Sequence, residues 1–174
     1  MAEQLYAALP KLAGWDQNTS TQLGEQVVFW QKHFDIAAQY LHQLDLTQAN
    51  GWRASINRNI RRNIRKAEEQ LALEKDLSLT DFYALNQLSF SRQNLTPPYS
   101  FAQLERHDQA LVEQQAREIF GARDQEGRLH SAAYLIWDQQ AAYYHLSGDD
   151  PTLRASGSGI WLLAHAIDYT QNVL

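Results

Sequence analysis

The 174-residue sequence contains no cysteine, a single methionine and four prolines. Without cysteine there is no disulfide framework, no thiolate nucleophile and no cysteine-ligated zinc, so any chemistry rests on other groups. No segment approaches the roughly 20 consecutive apolar residues of a membrane span, and no basic stretch leads into an apolar run. A cytoplasmic protein is expected. The net charge of -5 argues against a surface that coats nucleic acid as a whole. His33, His42, His107, His130, His145 and His165 show no His-x-x-x-His spacing, and no metal is expected. What is there, 44% hydrophobic and 20% charged residues, is the balance of a globular chain able to bury a core.

The sequence is organised around Asp149-Asp150-Pro151-Thr152-Leu153-Arg154-Ala155-Ser156-Gly157-Ser158-Gly159-Ile160. Two glycines two residues apart at a helix start let a ligand approach the backbone closely. N–H groups there, aligned with the positive end of the helix dipole, form a cradle for phosphate oxygens. A Gly-Ser-Gly turn also serves elsewhere as a flexible connection, and two glycines alone do not separate the readings. Position favours the cradle, because a loop leaving a strand and entering a helix is where nucleotide-like ligands dock.

Upstream, Leu5, Tyr6, Leu9 and Leu12 form a short amphipathic pattern, and the aromatic-rich stretch from Val27 to Leu46 reads as core with a strand over Gln39 to Leu46. Trp52, Ile56, Ile60, Ile64, Ala67 and Leu71 recur at helical spacing, while Arg53, Arg58, Arg61, Arg62, Arg65 and Lys66 make the opposite face basic. That face is either solvated or a landing strip for an anion; Arg58, Arg61, Arg62 and Arg65 are its candidates for substrate or RNA electrostatics. A strand is expected from Leu71 to Leu77. Capping patterns at Ser78 and Ser100 open two helices, the first burying Phe82, Leu85 and Leu88 and ending by Pro97-Pro98, the second burying Phe101, Leu104, Leu111 and Val112. Three antiparallel strands are expected over Glu118 to Arg123, Leu129 to Trp137 and Ala141 to Leu146. The last helix, Ser158 to about Asn172, is predicted to bury Ile160, Leu163, Ala164, Ile167 and Leu174.

In pieces across most of its length the chain resembles the GNAT acyltransferase superfamily, in particular its Fem-like branch, which includes the aminoacyl-tRNA-dependent peptidyltransferases of peptidoglycan. The resemblance is carried by Asn63-Ile-Arg-Lys-Ala-Glu68, Phe82-Tyr83, Phe90-Ser-Arg-Gln93, Ala142-Tyr-Tyr-His-Leu-Ser-Gly148 with Asp150-Pro151, and the Arg154 to Gly159 loop. It implies an α/β (α+β) fold: a GNAT-like mixed sheet with an antiparallel central meander flanked by helices. The family's fifth strand and its later elements have no counterpart before Leu174, and the first residues resemble the interior of a longer relative, so truncation at both ends is expected. Residues 1–46 would be the remnant of a preceding region and 47–174 an acyltransferase domain incomplete at its C-terminus. An edge left open in this way invites a homodimer.

By the same resemblance, Arg154, Ala155, Ser156, Gly157, Ser158 and Gly159 would hold the pyrophosphate of an acyl-CoA donor, and backbone N–H groups from Tyr143 to Ser147 would polarise the acyl carbonyl. A small-molecule or peptide amine would attack directly. Tyr144, His145 and Asp149 are the candidates for taking its proton. The loop points to a coenzyme A thioester, whereas the branch and the basic helix point to an aminoacyl-tRNA donor. The alternative, from another class, is a non-catalytic interaction module or inactive fragment that keeps the fold; a general RNA-binding domain fits the acidic balance poorly.

Overall fold

A computed structural model describes residues 4, 7, 8, 27–37, 41–47 and 51–173. The chain divides into two compact units, 1–44 and 45–174. In the first unit, α1 (Val27–Gln31) buries Phe29, whose ring meets Phe34 edge-on at 5.8 Å, while Trp30 lies 69% exposed. The strand expected over 39–46 does not form in its described part: Leu41 is 88% exposed and residues 41–46 join no sheet. Without a partner strand, β-propensity has nothing to act on. The pattern at Leu5, Tyr6, Leu9 and Leu12 lies outside the described residues, as does Leu174.

The second unit holds a four-stranded antiparallel sheet of β1 (Leu71–Glu74), β2 (Arg117–Asp124), β3 (Leu129–Trp137) and β4 (Ala142–Asp149), paired in that order. Helices α2 (Arg58–Glu68) and α5 (Ser158–Val173) cover one face, and α3 (Leu79–Ser91) and α4 (Phe101–Glu113) the other. With both faces covered, β3 reads as an almost unbroken apolar run rather than an alternating one. Ala133 and Leu135 join Phe120, Ile64, Trp161 and Leu162 on the α2/α5 side, whereas Ala132 and Tyr134 join Phe82, Leu85, Leu104 and Ile119 on the α3/α4 side. Each large side chain buried this way contributes about 1.5–3 kcal/mol.

The helix starts obey their capping residues. Ser100 and Gln103 exchange both bonds of a capping box, and Ser78 accepts from the Asp81 N–H. The buried stripes differ from expectation in three helices. Leu88 of α3 is 41% exposed, and the inward positions are Phe82, Leu85 and Asn86. Val112 of α4 is 47% exposed, and Asp108 is buried instead. In α5 the most buried residues are Ser158, Trp161, Leu162, Ala164 and Ala166, with Ile160, Leu163 and Ile167 on the flanks. Asn86 and Asp108 can face inward because each is hydrogen-bonded there, Asn86 to the Ser147 carbonyl and Asp108 to the Tyr134 hydroxyl.

Two irregularities break the ladder. Ala122 pairs with Ser131 and Arg123 with Leu129, which leaves His130 as an extra residue on β3. Tyr134 pairs with Leu146 and Leu135 with Tyr144, which leaves His145 as an extra residue on β4. A bulge re-aims the side chain it carries.

Candidate active site

β4 ends in a turn built by Asp150. Its carboxylate accepts from the Thr152 N–H at 2.8 Å and from the Thr152 hydroxyl at 2.7 Å, which holds it below the usual carboxylate range. A 3-10 turn over Arg154–Ser156 comes next, and Gly157 then takes a φ of 78°, the left-handed region that favours glycine. A Cβ there would also lie 3.4 Å from the Asn63 carbonyl oxygen of α2. The chain enters α5 at Ser158, and the N–H groups of Gly159 and Ile160 have no acceptor among the described residues. These are the orphan donors that a helix N-terminus presents to an anion.

The loop rests on a buried polar chain. Ser156 Oγ lies 3.0 Å from His130 Nδ1 and donates to the Leu153 carbonyl at 2.9 Å. His130 Nε2 is 2.9 Å from Asp124 Oδ2, and Arg128 pairs with the same oxygen at 2.7 Å. Asp124 is held well below the usual carboxylate range, first by His130 and then by Arg128. Beside this chain, the Ser131 hydroxyl donates to Asp149 Oδ1 at 2.7 Å and meets the Ser158 hydroxyl at 2.5 Å. A Cβ on Gly159 would come within 3.2 Å of that Asp149 oxygen. Each tie satisfies a group whose burial unpaired would be costly.

The middle of β4 is more open. His145 stacks at a tilt on His107 of α4, with ring centroids 5.3 Å apart, and meets the buried Tyr134 ring edge-on at 6.0 Å. Although the residue is exposed on its strand, desolvation of the ring against its neighbours, and secondarily the His107 charge, pushes the His145 imidazole below the ordinary histidine value. Tyr134 donates to Asp108 at 2.5 Å, and Arg117 lies 3.1 Å from the same carboxylate. Burial, reinforced by that carboxylate, pushes the Tyr134 phenol up. Tyr144 pairs with Leu135 and so takes the α5 side, the side of Asp149. Its ring is 38% exposed, and desolvation around the hydroxyl, with the Asp149 charge second, pushes the phenol up.

The residues singled out from sequence therefore separate. Arg154 to Gly159 form one loop above the His130 chain. His145 faces α4, while Tyr144 and Asp149 face α5, with Asp149 bonded at the root of the loop. On α2, Arg61 bends back to the carbonyls of Ile56 and Ala54 at 2.9 and 3.2 Å, whereas Arg58, Arg62 and Arg65 stay exposed. Lys66 of the same helix reaches the Ala155 carbonyl at 3.3 Å, which brings the basic helix against the loop.

Four residues escaped the sequence reading. His107, His130, Asp108 and Asn86 are polar groups drawn to the site by the fold. Asn86 donates to the Ser147 carbonyl at 2.7 Å and accepts from the Tyr99 hydroxyl at 2.9 Å, tying α3 to β4. The signal for it was its place in the Phe82, Leu85 stripe. Among the described residues no group of three His, Asp or Glu side chains could hold a metal ion, and no helix is long and apolar enough to cross a membrane.

No match was found among curated proteins. A family model described as an acetyltransferase (GNAT) domain matches residues 54–172, a span that includes α2, the whole sheet, both histidine bulges and the glycine loop. By that match over more than half of its length, the chain belongs to the GNAT acetyltransferase family.

Proposed function

We propose that the chain is an N-acyltransferase that moves an acyl group from an acyl-CoA donor to an amine by direct attack. The single observation that carries this reading is the pair of unpartnered N–H groups at Gly159 and Ile160, on a loop locked from beneath and opened by the left-handed Gly157. The donor would supply a thioester carbonyl, and the loop its phosphate contacts. His145 is the proton acceptor that fits best, because its depressed basicity keeps the imidazole neutral and able to take a proton from the amine. The outer edge of β4, which has no partner strand among the described residues, offers backbone groups along which the donor could lie.

Calorimetric titration of acetyl-coenzyme A tests this reading. Binding to the wild-type chain that is lost in a Gly157→Val, Gly159→Val variant, folded by circular dichroism, supports it. No binding to the wild-type chain would sink it in favour of a non-catalytic interaction module.

One observation favours a second donor. The exposed Arg58, Arg62 and Arg65 share a helix with Lys66, which touches the loop, so an aminoacyl-tRNA would find a basic track leading to the same cradle. RNA affinity that falls steeply with salt, and less steeply after Arg62 and Arg65 are neutralised, would select that donor.

A further inference from the structure

The basic helix has two working sides. Asn63 and Lys66 meet the glycine loop, whereas Arg61, Ile64, Arg65 and Glu68, three or four residues apart, share the opposite side of α2. With Arg53 and Ile56 from the segment before the helix, these four line a crevice of about 310 Å³. Its buried part is Ile64, with Ile56 half-buried beside it, and its rim is four exposed charged side chains.

Arg61 is already fixed in place there. Its Nε donates to the Ile56 carbonyl at 3.1 Å, and its Nη2 donates to the Ile56 and Ala54 carbonyls at 2.9 and 3.2 Å. These acceptors are neutral, and the two N–H groups of Nη1 have no acceptor among the described residues. A guanidinium ordered in this way without a counter-charge loses little further freedom when an anion arrives. Arg65, one turn further on, has no partner among the described residues. Charge balance then decides what fits. Arg53 is matched by Asp168 of α5, which lies 2.5 Å from its Nη2 and 3.3 Å from its Nε. Glu68 offsets one of Arg61 and Arg65, so a single positive charge is left over. A phosphate dianion exceeds that charge and is repelled by Glu68, whereas a monoanion matches it. The guanidinium fork takes a carboxylate through two parallel bonds, and the isoleucine surface beside it favours hydrocarbon.

We propose that this crevice binds a small monocarboxylate with an apolar body, its carboxylate on Arg61 and Arg65 and its hydrocarbon on Ile56 and Ile64. The site lies on the side of α2 away from the glycine loop and does not depend on which acyl donor the loop takes.

NMR titration of the full 174-residue chain with 4-methylpentanoate tests this, beside the neutral 4-methylpentanamide and inorganic phosphate. The carboxylate should give saturable shifts at the Arg61 Nε–H and at the Ile56 and Ile64 methyl groups, with both other probes about tenfold weaker. The Gly157 and Gly159 amide signals should stay still. Arg65→Gln, at an exposed position with no bond to lose, should keep the fold and weaken the carboxylate about fivefold. Glu68→Gln should tighten both anions, phosphate more than carboxylate. No saturable shift at millimolar carboxylate overturns the inference, as does an unchanged affinity in Arg65→Gln. An amide that binds as well as the acid would leave only an apolar crevice, and phosphate that binds as well would assign the arginines to a phosphate backbone; either result removes the carboxylate site. Shifts confined to Gly157 and Gly159 would place the probe on the loop and remove it too. Loss of the acyl-CoA reading, by contrast, leaves the Arg61 and isoleucine shifts as they are.

Discussion

The sheet has two bulges, each carries a histidine, and the two histidines end in opposite surroundings. His130 is buried, bonded at both nitrogens and tied through Ser156 to the glycine loop. His145 is exposed on its strand, meets only rings, and has no hydrogen bond to either nitrogen among the described residues. The same backbone device has fixed one imidazole as a strut and left the other free to exchange a proton. In the proposed acyltransferase those would be separate needs, since a cradle for the donor must hold its shape while a proton acceptor must change state in every turnover.

The largest expected effect lies at the open histidine. His145→Gln should lower the rate of acyl transfer to a panel of primary amines by about 10²–10⁴-fold and leave coenzyme A affinity within about twofold. In the wild type the rate should rise with pH along a limb below the ordinary histidine value of about 6.5, because a depressed imidazole is already neutral there. His107→Ala removes one of the two depressing causes and should move that limb upward. A rate indifferent to His145 would break the division of labour, and so would a His145 variant that fails to bind donor.

A smaller effect is expected where β4 meets α3. A Cβ on Gly148 would lie 2.6 Å from the Asn86 backbone nitrogen and 2.7 Å from the Leu85 carbonyl carbon, both main-chain atoms that cannot turn aside. Gly148→Ala should therefore cost about 1–3 kcal/mol in denaturant unfolding. Three residues earlier, His145→Ala should cost much less, since that ring leaves no bonded network behind. Equal losses at the two positions would mean that the bulge is as tightly packed as the loop end.

These contrasts also mark what the sequence could disclose. The three-strand meander, the Ser78 cap and the Ser100 capping box were legible because they are local: a buried strand needs its apolar run, and Ser100 with Gln103 closes its box within four residues. The glycine turn was legible for the same reason, since Gly157 and Gly159 come after a strand and open a helix. The bulges were not. Inserting one residue into a ladder changes no composition, and only the partner strand decides that His130 and His145 are the extra residues. Asp108 was hidden for a related reason. Its place one turn after Leu104 and three residues before Leu111 puts it on the inward stripe, but its partners Arg117 and Tyr134 come from two later strands. The polar chain under the loop spans β2, β3, β4 and α5, so no window of sequence contains it.

The smallest effect is expected from Lys66, and it sharpens the distinction between a buried tie beneath the loop and an exposed charge beside it. Its ammonium donates to the Ala155 carbonyl at 3.3 Å from the solvent side of the loop. An exposed charge so placed is worth little, and Lys66→Ala should weaken pyrophosphate binding by only about threefold. In salt near 1 M, where the screening length falls to about 3 Å, that difference should vanish. His130→Gln, which breaks the buried contact to Ser156, should weaken pyrophosphate binding by a margin that survives the same salt, because that contact shapes the loop rather than attracting the ion. If salt abolished both deficits alike, His130 would not be shaping the loop, and the comparison between the two bulges would lose its buried half.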